Sequence, residues 1–388
     1  MQWLLPAGIE DTLPPGVKRL ETARTQVLKL FDSWGYDHVI PPLAEFQDSL
    51  LTGVGEDLAG QTFRIMDPQT GKMLGIRADM TPQAARIAAR HFDLSRPVRL
   101  CYLGGTLQAR PASFHCSRNP LQLGAELFGI SDNAGDVEIV CMMVATLKQL
   151  AIDNFVVALG HVGIFHAVAE QAGLDSQQQA RYFDILQRKA LPEIDRFLVD
   201  LPITDQRRRE LRCLVDLHGD ERILEQASEL LSASNGKVKQ ALQQLVSITA
   251  QLKDRDPQLP LYFDLGETRG YQYHTGLVFA AYVEGEGQAI ASGGRYDGVA
   301  EVFGTGTAAT GFSADLKTLV ELVSAVDQMQ NPLILAPAQG DSRLMEKITQ
   351  LRNQGYRVVH DLPGEAHPVG VTGYLQLTDG GWEIQEQG

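Results

Sequence analysis

The chain is poor in cysteine, has no long apolar run and carries no excess of positive charge, and each shortage excludes a class of protein. Its four cysteines form no C-x-x-C pair and show no spacing typical of a disulfide scaffold, so we expect reduced thiols. No apolar stretch approaches the ~20 residues that a membrane span needs. The N-terminus lacks the basic segment and apolar run of an export signal. We therefore expect a cytoplasmic protein without a membrane partner.

The charge balance argues against a protein whose main task is to bind a nucleic-acid backbone. The formal net charge is -14 and the pI is near 5.1, whereas phosphate backbones are bound by clusters of lysine and arginine. A composition of 44% hydrophobic and 21% charged residues is typical of globular proteins. With 388 residues the chain can hold two or three domains and a substantial core.

Hydrophobic periodicity in the first half predicts alternating helices and strands. Apolar residues recur at helical spacing over 15–35. A later helix begins near Thr81, which we expect to cap it, with Pro82 in the first turn. Strands are predicted at 98–103 and 120–128, on either side of a polar loop. The pattern indicates an α+β domain with a mostly antiparallel sheet whose face carries the site.

The second half predicts a helical insertion and a short C-terminal segment. Residues of about 162–255 are rich in Gln, Leu, Ala, Glu and Arg and show little strand signal. Strands then return, and a helix is predicted over 313–326. We assign the first domain to residues 1–326. The segment 331–388 reads as strand, helix, strand and weaker strands, a small α/β unit.

Two stretches near the end of the first domain hold groups suited to a small polar ligand. "ETRGYQYHTGLVF" (267–279) offers the planar guanidinium of Arg269 for a carboxylate, beside the rings of Tyr273 and His274. "ASGGRYDGVAEVFG" (291–304) contains glycines that let backbone approach a ligand closely. Taken singly, the first stretch is equally compatible with an ordinary turn before a strand, and the second is more often a tight turn.

Two other patterns predict no site. "GTAATGFS" (306–313) imitates a phosphate-binding loop but has Phe312 where the lysine belongs, so we predict a plain loop. His161 and His166 are five residues apart, which does not stack them on one helical face, so we expect no metal site.

Taken in order, the segments resemble the catalytic core of histidyl-tRNA synthetase, a class II aminoacyl-tRNA synthetase, from about Pro6 to Val326. "GYDHVIPPLAEF" is similar to the first class II motif, whose proline is here Pro42, and "IRADMTPQAARI" to the family's L-R-P-E-G-T segment. "GGTLQARPASFHCSRNPLQLGAE" (104–126) resembles the second motif. "RGYQYHTG" and "GGRYDG" resemble the histidine-specific signatures R-G-L-D-Y-Y-T-G and G-G-R-Y-D-G. The resemblance implies a class II synthetase-like antiparallel sheet flanked by helices.

The resemblance also implies a binding site for free histidine. The matching positions are Asp79, Thr81, Gln122, Glu126, Arg269, Tyr273 and His274. Acidic groups suit the α-ammonium, Arg269 suits the carboxylate, and Glu126 with Tyr273 suits the imidazole ring. The chain departs from the pattern at Asp79, one methylene shorter than the family's glutamate, and at His274, which replaces a tyrosine.

At the ATP end the chain lacks the groups that the family uses. With the second motif laid on without gaps, Gln108 stands at the ATP-binding arginine and Arg110 at its partner glutamate. In "GFSADLKTL", Lys317 and Thr318 replace the glutamate and arginine of G-L-E-R-L. Arginine and Mg²⁺ clamps stabilise the charge that develops on transferring phosphates. We therefore expect a non-catalytic chain without a cofactor or metal, which binds histidine and does not activate it.

These features together resemble the regulatory subunits of ATP phosphoribosyltransferase. The final 58 residues (331–388) are fewer than an anticodon-reading domain occupies, so no tRNA partner is expected. The resemblance implies a homodimer, formed around Pro42, that joins a short-form catalytic subunit in a hetero-octamer. It further implies a role at the first step of histidine biosynthesis, with L-histidine as effector. An active histidyl-tRNA synthetase, or a ligase activating another carboxylate, remains the alternative, and each needs ATP contacts.

Overall fold

The chain forms two compact units, Met1–Val323 and Ser324–Gly388. The computed structural model describes residues 3–52, 56–110, 117–234, 236–266, 274–298, 306–323, 331–338, 340–364 and 366–386. None of the described helices combines the length and apolarity that crossing a membrane requires.

Helices and strands alternate along the described chain. The helices are α1 Gly16–Ser33, α2 Gln47–Leu50, α3 Glu56–Gln61, α4 Thr81–His91, α5 Asn133–Gln149, α6 Val162–Gln171, α7 Ser176–Gln187, α8 Leu191–Val199, α9 Asp205–Cys213, α10 Arg222–Leu230, α11 Gly236–Arg255, α12 Leu316–Leu322 and α13 Ser342–Asn353. The strands are β1 Asp37–His38, β2 Ala44–Phe46, β3 Phe63–Met66, β4 Met73–Ile76, β5 Val98–Gly105, β6 Leu121–Phe128, β7 Phe155–His161, β8 His218–Gly219, β9 Leu261–Asp264, β10 Leu277–Val283, β11 Ala291–Arg295, β12 Ala309–Asp315, β13 Leu333–Pro337, β14 Arg357–Asp361, β15 Val371–Thr378 and β16 Gly381–Glu386.

A large sheet organises the first unit. Among the described residues it has nine strands in the order β1-β5-β6-β12-β11-β10-β7-β9-β8, and a second sheet has the order β2-β4-β3. The pairs from β5 to β7 are antiparallel, while β1 pairs with β5, and β9 with β7, in parallel. The predicted mostly antiparallel, class II-like α+β fold is confirmed.

Helices α1 and α5 cover one face of the large sheet, and the site lies on the other face, where α4 packs beside it. Val27 and Phe31 of α1 and Met143 of α5 are fully buried in the main core. The Phe31 ring meets the ring of Phe312 from β12 edge to face, with 6.1 Å between centroids. Because neighbouring side chains of a strand point to opposite faces, Gly311 faces away from this core.

Two local predictions were wrong for the same reason. Thr81 is the first residue of α4 and not its cap; the cap position is Met80, with no side-chain cap bond. The Thr81 hydroxyl lies instead 2.9 Å from the hydroxyl of Tyr102. The stretch 306–313 was predicted as a loop, yet β12 runs from Ala309 to Asp315 in the middle of the sheet. In both places a tertiary contact overrides the local signal.

The predicted helix over 313–326 starts later than expected. Ser313 and Ala314 belong to β12, and Asp315 caps α12 by accepting a hydrogen bond from the backbone N–H of Lys317. The segment 162–255 contains α6 to α11 and the two-residue strand β8 among its described residues.

The second unit is a small α/β fold in which helix α13 packs on a four-stranded sheet. Its strands have the order β14-β13-β15-β16 among the described residues. Ile334, Leu344, Ile348 and Trp382 form the buried core. The predicted sequence of strand, helix and strand after residue 330 is confirmed.

Candidate functional site

A cavity of about 300 Å³ opens on the face of the large sheet that lies opposite α1 and α5. Its lining includes four residues that the sequence proposed for a ligand: Asp79, Thr81, Glu126 and His274. Glu126 comes from the centre of β6, next to β12, and is 1% exposed. The sequence therefore brings together, from separate elements, a set of polar side chains around one small space, as ligand sites do.

Two buried tyrosines hold the Glu126 carboxylate. The Tyr102 hydroxyl donates to Oε1 at 2.9 Å, and the Tyr296 hydroxyl donates to Oε2. The Thr81 hydroxyl lies 2.9 Å from that of Tyr102 and extends the network to the start of α4. We refer to Thr81, Tyr102, Glu126 and Tyr296 as the Glu126 network.

Burial sets the protonation of the ionisable side chains in the cavity. Loss of water raises the pKa of Glu126 to about 8, against the opposing hydrogen bonds from Tyr296 and Tyr102. Burial likewise lowers the pKa of His274 to about 4, so its ring is neutral at pH 7. At pH 7 the Glu126 carboxyl group therefore keeps most of its proton.

Glycines make room for the network at two places. A Cβ on Gly311, which pairs with Glu126 across β12 and β6, would stand 1.6 Å from Glu126 Oε2. A Cβ on Gly124, which pairs with Tyr102, would stand 2.4 Å from the tyrosine hydroxyl oxygen. Each glycine is required because a buried polar side chain lies flat on its backbone.

Asp79 is held in place by its neighbours at the start of α4. Its Oδ1 accepts hydrogen bonds from Gln122 Nε2 at 2.7 Å and from the Thr81 N–H at 2.9 Å. The Gln122 Oε1 accepts from the Met80 N–H at 2.9 Å. Gln122 therefore uses both ends of its amide to fix the loop that presents Asp79.

The structure brings five of the seven proposed histidine-site residues together. Asp79, Thr81, Glu126 and His274 line the cavity, and Gln122 supports Asp79. Arg269 and Tyr273 lie outside the described residues.

The sequence analysis missed polar groups that share the cavity or its network. They are Tyr102, Tyr296, Asp264, Ser292 and Ser313. Strand alternation was the signal for Tyr102, because its partner Gly124 lies two residues from Glu126 on the same face of β6. Tyr296 stands within the quoted signature "GGRYDG".

The arginine of that same signature has a structural role. Arg295 Nε donates to Asp136 Oδ2 at 3.0 Å, while its other nitrogens donate to the carbonyls of Ile130 and Asp132. Both charged side chains are buried, 9% and 4% exposed. Arg295 thus ties the end of β11 to the start of α5, a contact that its sequence motif did not reveal.

At two positions where the family binds ATP, the side chains found here form hydrogen bonds with neighbouring groups of the chain. Lys317 Nζ donates to the carbonyl of Asn119 at 2.9 Å, and the Thr318 hydroxyl donates to Asp315 Oδ2 at 3.1 Å. Asp315 Oδ1 also accepts from the N–H of Leu121 at 2.9 Å. These bonds join the start of α12 to the start of β6.

The other two replaced positions, Gln108 and Arg110, lie in the second motif. The backbone of Gln108 exchanges hydrogen bonds with Arg118, whose guanidinium also donates to the Ala7 carbonyl and lies over the Phe63 ring. Arg110 is exposed. Arg118 is therefore committed to contacts within the protein.

Comparison with known proteins agrees with the fold and the motifs. A histidyl-tRNA synthetase family model matches residues 8–319, and the model of the ATP phosphoribosyltransferase subunit HisZ C-terminal domain matches residues 331–385. The chain is 46% identical over 387 residues to an ATP phosphoribosyltransferase regulatory subunit of Pseudomonas putida, covering 99% of this chain and 98% of that protein.

Two solved structures share the architecture. One is an ATP phosphoribosyltransferase regulatory subunit/histidyl-tRNA synthetase from Bacillus halodurans, 28% identical, with a TM-score of 0.83 over 95% of each chain. The other is a histidyl-tRNA synthetase from a Nostoc species, 16% identical, with a TM-score of 0.78, covering 97% of this chain and 92% of that one. The second likeness concerns the fold alone.

Proposed function

The chain belongs to the family of ATP phosphoribosyltransferase regulatory subunits with a histidyl-tRNA synthetase-like fold, and we propose that it senses free L-histidine for that enzyme. The proposal rests on the cavity, in which Glu126 and Asp79 lie at opposite ends of a short series of hydrogen bonds. The series runs through Tyr102 and Thr81. Asp79 and Thr81 offer acceptors for an α-ammonium group. Glu126, held by its tyrosines, offers an acceptor for an imidazole N–H.

The chain has no aminoacylation activity of its own in this proposal. Adenylate formation depends on cationic groups that face the transferring phosphates. Here Gln108 and Thr318 replace the arginines, and Lys317 donates to a backbone carbonyl. Histidine would therefore bind without being activated, which suits an effector site.

The proposed assembly follows from the family. The chain acts with a separate, short-form catalytic subunit in the cytoplasm, as a homodimer within a hetero-octamer, and without tRNA. Large apolar side chains remain exposed along residues 40–73 and support a subunit interface there: Ile40, Leu43, Phe46, Ile65, Met66 and Met73. Bound histidine shifts the assembly between states of different activity because it binds them with different affinity.

Titration calorimetry with L-histidine tests the sensing role. Glu126→Ala leaves a buried ring N–H without its acceptor, and we expect a loss of ~1–3 kcal/mol, roughly 5- to 150-fold in affinity. Arg269→Ala is expected to cost at least as much, because it removes a charge-assisted contact to the carboxylate. Glu138→Ala is the matched control, since Glu138 also accepts a tyrosine hydrogen bond, from Tyr36, away from the cavity.

The functional assay uses the complex with a short-form ATP phosphoribosyltransferase. Histidine should inhibit it with wild-type chain and fail to inhibit it after Glu126→Ala. Equal inhibition with both Glu126 and Arg269 replaced would move the sensor away from this cavity. Histidine-dependent exchange of pyrophosphate into ATP by the chain alone would contradict the loss of activation.

A further inference from the structure

We propose that Tyr102 is a positioning residue that sets the specificity of this cavity for a ligand carrying an ammonium group. It orients the Thr81 hydroxyl so that the Thr81 oxygen meets the ligand as a hydrogen-bond acceptor. The inference rests on the proposed histidine site and concerns how that site selects its ligand. Tyr102 itself acts through Thr81 and Glu126.

The order of donors in the Glu126 network carries the proposal. A phenol and an alcohol each have one O–H to donate, whereas an ionised carboxylate can only accept. With Glu126 ionised, Tyr102 donates to Oε1, 2.9 Å away, so its oxygen is left to accept from Thr81, also at 2.9 Å. The proton of Thr81 is then used, and its oxygen presents lone pairs to the cavity that it lines.

Packing fixes the position of the Tyr102 side chain. Its side chain is completely buried and packs against Met80 and Ala84 at the start of α4. On the sheet side the ring lies over Gly124, where a Cβ would stand 2.4 Å from the hydroxyl oxygen. Tyr296 donates to the other oxygen of Glu126 and so leaves Oε1 to Tyr102. Packing therefore keeps the Tyr102 hydroxyl between Glu126 Oε1 and Thr81, and the charge of the ionised Glu126 sets the direction of donation.

The direction of hydrogen-bond donation at Thr81 matters because the groups of the ligand differ in whether they donate or accept. An ammonium group donates hydrogen bonds and accepts none, so it fits between the Thr81 oxygen and the Asp79 carboxylate. A ligand without that group donates no hydrogen bond to the Thr81 oxygen or to the Asp79 carboxylate, which costs binding free energy. If the Tyr102 hydroxyl is removed, Thr81 can rotate and donate into the cavity, and selection for the ammonium weakens.

The test compares two ligands, L-histidine and 3-(imidazol-4-yl)propanoate, which lacks the amino group. Calorimetry gives the ratio of their dissociation constants for wild type, Tyr102→Phe and Tyr36→Phe. Tyr36 is the control, because it is 2% exposed and its hydroxyl donates to a glutamate, Glu138, outside the cavity. We expect Tyr102→Phe to lower the preference for histidine by roughly tenfold and Tyr36→Phe to leave it unchanged.

A double-mutant cycle with Thr81→Val checks that the effect passes through Thr81. In the Thr81→Val background, Tyr102→Phe should lower the preference no further, because the hydroxyl it orients is already gone. An unchanged preference in folded Tyr102→Phe overturns the inference and leaves the histidine site standing. If Tyr102→Phe does not fold, an unchanged preference in Thr81→Val overturns it equally. Failure of wild type to bind either ligand removes the proposed function, and the inference with it.

Discussion

At the scale of single residues, the cavity contains a carboxyl group, that of Glu126, which is buried away from water. Burial raises the pKa of Glu126 to about 8, so near pH 7 this carboxyl group is mostly protonated. A ligand that pairs with the ionised form lowers this pKa. Binding is therefore linked to proton release, and histidine affinity should increase as the pH rises toward 8.

We predict that histidine binding at pH 7 releases close to one proton from Glu126. Calorimetry in buffers of different ionisation enthalpy measures the number of protons, and Glu126→Gln should abolish this release because the amide does not titrate. Glu138→Gln serves as the control. It should keep the wild-type proton release, since Glu138 lies outside the cavity and its pKa is lowered, with Arg99 and Tyr36 outweighing its partial burial. Equal release in wild type and Glu126→Gln would assign the proton to another group.

Gly311→Ala should damage both stability and binding. The new Cβ would meet Glu126 Oε2 at 1.6 Å, so the carboxylate or the strand must move. Overpacking of this kind typically costs ~1–3 kcal/mol. Gly105→Ala in β5 is the control, because a Cβ there meets nothing within 4 Å. Chemical denaturation and histidine titration of both variants measure the two effects; a Gly311→Ala variant that binds histidine normally would contradict the close contact.

The sequence predicted residues that line the cavity better than the residues that support them. Asp79, Thr81 and Glu126 stood out through the resemblance to histidyl-tRNA synthetase, and all three line the cavity. Tyr102 did not, because a tyrosine in an apolar strand has the same local pattern whether it fills the core or donates to a carboxylate. Its role depends on the register between β5 and β6, which pairs it with Gly124, and register is a tertiary property.

At the scale of secondary-structure elements, a buried ion pair fixes the sheet to the helix layer. Arg295 at the end of β11 contacts Asp136 and two carbonyls at the start of α5. Burial raises the pKa of Asp136, and Arg295 opposes the rise. The contact holds the strand that carries Gly293 and Gly294 in the wall of the cavity.

Arg295→Ala should destabilise the chain strongly, by ~3–5 kcal/mol, because it leaves the Asp136 carboxyl buried without its partner. Arg222→Ala removes an ion pair with Asp220 whose side chains are 82% and 58% exposed, and should leave the free energy of unfolding almost unchanged. Urea denaturation monitored by circular dichroism compares the two. Similar losses for both variants would show that the Arg295 pair adds no more than a surface pair.

Element boundaries were predicted well where local signals suffice and poorly where the sheet decides. Helix α1 and strand β6 lie within two residues of the predicted bounds 15–35 and 120–128, because helical periodicity and a bounded apolar run are local signals. Strand β12 was missed because its glycine, threonine and alanines suggest a loop. Those small residues are needed because the Glu126 side chain lies against the backbone of β12 at Gly311. The local sequence of β12 gives no signal of that contact.

At the scale of the whole molecule, the exposed apolar side chains along residues 40–73 are where we expect the proposed dimer to form. Ile40 is 80% exposed and Met66 67% exposed, and Val17 on α1 is 38% exposed although it belongs to the helix's apolar pattern. Apolar side chains grouped in this way usually mark an interface.

We predict that the purified chain is a dimer at micromolar concentration and that Ile40→Glu dissociates it. A buried, unpaired carboxylate at an interface is strongly unfavourable. Val199→Glu, at a 71% exposed position at the end of α8, is the control and should leave the dimer intact. Sedimentation velocity distinguishes monomer from dimer; a monomeric wild type would refute the interface, as would dimers of Ile40→Glu as stable as wild type.

The placement of Glu126 inside the central strands has a consequence for how such a chain changes over generations. Lys317 and Thr318 lie in the first turn of α12 and Arg110 lies in a loop, where one side chain can replace another while the fold persists. Glu126, Gly311 and Tyr102 interlock within the sheet, so a change at one demands a change at the others. Substitutions should therefore be tolerated better at those three positions than within the interlocked set. In the proposed function, this difference would let a chain of this fold lose the use of ATP and keep the recognition of an amino acid.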